Sequence, residues 1–126
     1  MRLALLGALL ALAGCDDQLY PFIGDGGAQV TYTANWDGTQ QFFGDQCDSC
    51  HPSLSDPDLE ADIAADINNG TGRYVVPFEP ENSELYLIIT GQSDEIALMP
   101  LGAAQPLPAE VTQPIADWIA DGASLE

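Results

Sequence analysis

Apolar residues recur along this chain at helical spacing, and no stretch alternates apolar with polar in the manner of a strand. A first short helix is expected over residues 37–45, turning Phe42 and Phe43 inward. Leu59, Ile63 and Ile67 recur every four residues and predict a second; Asp56 can cap it, Pro57 suits its first position and Gly70 ends it. A third is expected over 81–90, through Leu85, Tyr86, Ile88 and Ile89, with Gly91 as its stop. A proline-rich loop over 99–108 leads to a last helix that buries Val111, Ile115, Trp118 and Ile119 and stops at Gly122. Pro114 interrupts that helix by removing one hydrogen bond, so it either bends there or starts late, capped by Thr112. There is no internal repeat. The expectation is an all-α fold of about four short helices joined by loops.

The beginning of the chain stands apart from this pattern. Arg2 is followed by an apolar run, 3–12, too short to span a bilayer, and then by small residues before a cysteine. Leu12-Ala13-Gly14-Cys15 resembles the bacterial lipobox, which implies lipid transfer to the Cys15 thiol and cleavage just before it. The alternative is an ordinary signal peptide cut near Ala13, which leaves a stray thiol in an exported protein. Residues 1–14 are therefore read as a lipoprotein signal peptide. Residues 15–31, broken by Pro21, Gly24, Gly26 and Gly27, are read as a tether, and 32–126 as one small domain. The mature protein is expected on the periplasmic side of a bacterial membrane. Asp16 and Asp17 favour the inner membrane under enterobacterial sorting but do not decide between inner and outer elsewhere.

Charge narrows the partners. Twenty acidic residues all follow Cys15, against two arginines, Arg2 and Arg73, so the formal charge is −18, and one unit more negative once Arg2 is removed. Nucleic acid is excluded as a partner because nothing is present to neutralise phosphates. Such acidity serves solubility or steers the molecule toward a basic protein. Anionic lipid repels it, so membrane attachment rests on the anchor.

The chemistry is concentrated in Cys47-Asp48-Ser49-Cys50-His51. Zinc needs about four nitrogen or sulfur ligands, and His51 is the only histidine in the chain. A thioredoxin-like dithiol needs a strand–helix setting and a lowered thiol pKa, whereas these surroundings are acidic. The third reading is covalent haem attachment, with both thiols adding to the vinyl groups and the adjacent imidazole reaching the iron; this spacing is the c-type haem signature. A second axial ligand then falls to Met99, the only methionine left after signal removal. Packing in the core is the usual fate of a methionine, but beside a haem signature no rival ligand exists.

The stretches TYTANWDGTQQFFGDQCDSCHP, RYVVPFEPENSELYLIITG and MPLGAAQPL, with the closing IADWIADGAS, resemble small monohaem class I cytochrome c domains of bacterial exported lipoproteins. The resemblance covers about residues 31–124. It implies a cytochrome c-like fold of crossing terminal helices, with helices and loops wrapped around one covalent haem c. Cys47 and Cys50 would form its thioethers, and His51 and Met99 would be the axial ligands. Phe43 would pack near Trp118. The chain departs from the pattern at Phe78, where many relatives carry glycine after the proline of VVP. Arg73, just before YVVP, is a candidate partner for the haem propionates, or else an exposed residue in a surface pair worth ~0–1 kcal/mol.

Histidine–methionine ligation implies a one-electron carrier rather than an enzyme, working with a redox partner that presents a basic patch. Two other classes stay open. One is a haem sensor or peroxidase-like protein with an exchangeable distal site; the other is an interaction lipoprotein that never acquires haem. The second imidazole N–H of His51 needs an acceptor, and backbone carbonyls at Pro52, Pro57 and residues 75–77 are candidates.

Overall fold

The computed structural model describes residues 31–51 and 59–126. Among them the protein is helical and contains no strand: α1 (Trp36–Gln46), α2 (Leu59–Asn69), a 3-10 turn (Pro80–Asn82), α3 (Glu84–Thr90) and α4 (Ala109–Ala120). The expected signal peptide, the tether with Cys15, and the Asp56 cap with Pro57 lie outside the described residues.

Helix α1 starts where Asn35 Oδ1 accepts the Gly38 N–H at 2.9 Å, satisfying one of the free donors of the first turn. Gly38 is required there, since a Cβ would stand 2.1 Å from the Thr33 carbonyl oxygen. The inward face carries Phe42 and Phe43, both fully buried. Trp36, about two turns earlier, lies edge-on to Phe43 and packs at a tilt on Trp118 of α4 with ring centroids 5.5 Å apart. Phe43 thus meets Trp118 through Trp36. This aromatic contact joins α1 to α4, and α4 in turn packs on α3 and on the 3-10 turn.

Helix α4 settles the question raised by Pro114. The helix runs unbroken through the proline from Ala109, so Thr112 is a buried residue inside it and not its cap. Only one backbone bond is lost, and four large side chains on a single buried face (Val111, Ile115, Trp118, Ile119) outweigh it. The stretch expected as one helix over 81–90 is in two pieces. Ser83 is extended (φ −94, ψ 114) because its hydroxyl is committed elsewhere, accepting the Val76 N–H at 2.9 Å and donating to the Glu79 carbonyl at 3.0 Å.

Asp66, on α2, has a role that hydrophobic spacing does not reveal. It is buried and accepts the backbone N–H groups of Arg73 (2.8 Å), Tyr74 (2.8 Å) and Val75 (2.9 Å), together with the Thr71 hydroxyl. One carboxylate therefore fixes the loop that returns from α2. Burial alone would push its carboxyl up, but the Thr71 hydroxyl and the three N–H groups outweigh that and hold it below the usual carboxylate range.

Phe78, the departure from the resembled pattern, has φ 72, in the left-handed region that favours glycine. A side chain there costs about 1–2 kcal/mol. Its N–H donates to the Ile119 carbonyl at 2.8 Å, and its ring covers Gly122 so closely that a Cβ at 122 would stand 2.8 Å from ring carbon Cζ.

Two outcomes follow from this packing. Trp118→Ala empties the α1–α4 contact and is expected to cost ~3–5 kcal/mol; chemical denaturation measures it, and an unchanged midpoint would place Trp118 outside the core. Asp66 has a folded-state pKa below its unfolded one, so its contribution is complete above the unfolded carboxylate value, about 3.9. It is lost as pH falls through the lower folded value. Asp66→Asn should be roughly 2–4 kcal/mol less stable at neutral pH and lose less stability on acidification below about pH 4. Parallel acid profiles for the two proteins would contradict the assignment.

Candidate functional site

The end of α1 turns sharply into the cysteine-histidine segment. The Cys47 and Asp48 N–H groups both reach back to the Phe43 carbonyl, at 2.8 and 3.0 Å. The Cys50 and His51 N–H groups then both donate to the Cys47 carbonyl at 3.1 Å. Five residues are wound into one turn, which brings Cys47, Cys50 and His51 to the same side of α1. All three are half-buried.

That side faces a cleft of about 560 Å³, counting its open mouth, within the size range of small-ligand and cofactor pockets. One wall is α1 and its turn, with Phe42, Gln46, Cys47, Cys50 and His51. The other is Ile89 from α3 with Met99, Pro100, Leu101 and Leu107. Its surface is overwhelmingly apolar. The far wall hangs from the end of α3, whose last carbonyls have no partner within the helix. The Met99 N–H donates to the Ile88 carbonyl at 2.9 Å and the Leu107 N–H to the Ile89 carbonyl at 3.3 Å, so the loop satisfies those carbonyls and presents Met99 to the cleft.

Four sequence-predicted residues, Cys47, Cys50, His51 and Met99, are therefore brought to one cavity. Arg73 is not among its lining residues. It is exposed, with its guanidinium carbon 4.7 Å from the centroid of the Tyr74 ring, and borders a separate polar depression with Asp62, Asp66 and Asn69. Gln46 was missed by sequence reasoning, although its position four residues after Phe42 places it on the same helix face.

Burial pushes the Cys47 thiol up to about 12, with the Asp48 charge adding to it, so the sulfur stays protonated over the ordinary pH range. A raised thiol pKa leaves little thiolate for dithiol exchange. Cys50 is disulfide-bonded, while Cys47 is free. A disulfide and a thioether are alternative bonds of the same sulfur. Among the described residues no three His, Cys, Asp or Glu side chains converge to hold a metal ion, and no helix is long and apolar enough to cross a membrane. No family model, curated protein or solved structure matches this chain.

Proposed function

We propose that the protein is a one-electron carrier that holds a covalent c-type haem in this cleft, within a cytochrome c-like fold. The observation that carries this reading is the convergence of Cys47, Cys50, His51 and Met99 on one apolar cavity. The residues present fit the group: two sulfurs and an imidazole on one wall, a thioether on the other, and phenylalanine, isoleucine and leucine between them. When bound, the haem supplies reversible one-electron chemistry at iron.

Each wall has its own task. Cys47 and Cys50 anchor the group through thioethers and His51 ligates from the same turn, so attachment and proximal ligation form one unit. Met99 approaches from the opposite wall, aimed by the loop that hangs from α3. Phe42, Ile89 and Leu107 exclude water. The acidic surface favours docking of a basic redox protein, and a lipid on Cys15 holds the domain at a bacterial membrane on the periplasmic side.

The disulfide at Cys50 favours a second reading, an exported interaction protein in which Cys47 and Cys50 never receive haem. Expression with haem-maturation machinery separates the two. A Soret band and an intact mass raised by one haem support the electron carrier, whereas an unmodified mass with an oxidised Cys50 supports the second.

Replacing the ligands tests the coordination. Met99→Ala should keep the haem attached but convert a low-spin spectrum into a high-spin one that binds carbon monoxide. Persistence of the far-red band of a methionine–iron(III) bond in that variant would exclude Met99 as the ligand. His51→Ala should abolish attachment altogether.

A further inference from the structure

Phe78 carries two costs at once. Its φ of 72 lies in the left-handed region, where a side chain opposes the backbone. Its ring is 69 % exposed, the most open of the large apolar side chains among the described residues. Strain of this kind is ordinarily offset by burial of the side chain, and this one buries little. The conformation persists because the surroundings impose it. The Phe78 N–H donates to the Ile119 carbonyl at 2.8 Å. The far edge of the ring rests against Gly122, where a Cβ would stand 2.8 Å from Cζ and 2.9 Å from Cε1. The bare backbone at 122 leaves room for the ring, which is thus held in one place with most of its surface open to solvent.

Glycine or asparagine at 78 would hold the same backbone without that strain. What phenylalanine adds is an exposed, pre-set aromatic surface, which loses little freedom when a partner covers it. The charges around it state what that partner must be. Glu79 follows it in the chain, Asp121 precedes Gly122, and Glu81 lies on the 3-10 turn that packs on α4; all three are exposed. Glu79 Oε2 accepts Asn82 Nδ2 at 2.7 Å, which ties that carboxylate to the turn. The single cation among the described residues, Arg73, is engaged with the Tyr74 ring. A second copy of this chain would bring the same acids and a net charge of −18, whereas a basic protein complements them. Among basic side chains arginine fits best, since its planar guanidinium stacks on an aromatic face and its fork takes a carboxylate.

We propose that Phe78 is the anchor of a docking surface for a basic protein, with an arginine of that partner laid over the open ring and paired with the carboxylates of Glu79, Glu81 or Asp121. Phe78 is not among the residues that line the cleft. The inference therefore goes beyond the electron-carrier reading and stands whether or not the cleft takes haem.

The test titrates the full chain with a labelled peptide of alternating arginine and glycine, and with its lysine counterpart. Physiological ionic strength screens long-range attraction to the acidic surface. The arginine peptide should bind more tightly than the lysine one. Phe78→Asn and Phe78→Gly both suit a positive φ and should melt at or above the wild-type temperature. Both should nevertheless weaken binding of the arginine peptide about two- to five-fold, the range of an exposed cation–ring contact. Phe78→Tyr, which keeps the ring, should keep the affinity. Glu79→Gln should weaken binding more than Glu110→Gln, which removes the same charge at the opposite end of α4. Wild-type affinity in Phe78→Asn would overturn the proposal. A lower melting temperature in both the asparagine and glycine variants would overturn it too, by making the ring a structural cover for Gly122. So would a wild-type dimer that dissociates on Phe78→Asn, since the occupant would then be a second copy of this chain. None of these readouts involves haem, so a chain that attaches none is tested in the same way.

Discussion

The stacked contact between Trp36 and Trp118 determines where the two walls of the cleft stand relative to one another. Trp36 is the first residue of α1, and the far end of that helix is the turn that carries Cys47, Cys50 and His51. Trp118 belongs to α4, which packs on α3, and α3 holds the loop with Met99. The wall with the cysteine–histidine turn is thus referred to the wall with Met99 through one pair of indoles. The Trp118 ring is itself held by its Nε1–H, which donates to the Ser124 carbonyl at 2.8 Å, so the chain after α4 helps to set the angle of the stack. A buried aromatic pair suits this task because its shape admits few alternative packings.

Around that axis, single polar side chains shape the loops. Asp66 gathers three successive N–H groups that no helix uses, and Ser83 bridges Val76 to Glu79. With no strands among the described residues, a returning loop has few backbone partners of its own, and side-chain acceptors supply them. Phe78 belongs to the same economy: its backbone is held by the Ile119 carbonyl and its ring by Gly122, and together these maintain a conformation that its own side chain opposes.

The helices were largely legible because their apolar residues keep a period near 3.6 over two or more turns, as Leu59 to Ile67 and Val111 to Ile119 do. The four candidate residues that line the cleft were legible for a different reason: Cys47, Cys50 and His51 adjoin one another, and composition alone singles out Met99. What stayed hidden depends on long-range polar contacts. Asp66 reads as one acid among twenty, and its burial becomes apparent only once residues 73–75 fold back onto it. Arg73 precedes a loop expected near the cavity, but its backbone N–H is held by Asp66 and its guanidinium lies over the Tyr74 ring beside the α2 depression. Pro114 argued for a break in α4, and burial of its neighbours Ile115 and Trp118 overrode that local preference. Gln46 is a polar residue on an apolar face, and such exceptions are informative only after the face is located.

The two backbone bonds that hang the distal loop from α3 divide the molecule into parts of unequal permanence. Between residues 91 and 107 only Pro100 and Leu107 are buried, while α1 and α4 carry the aromatic core. Segments with few buried contacts open locally at a small fraction of the global unfolding free energy. The wall with Met99 therefore rests on two backbone bonds and little burial, whereas the helix that leads into the turn with Cys47 and His51 is anchored in the aromatic core.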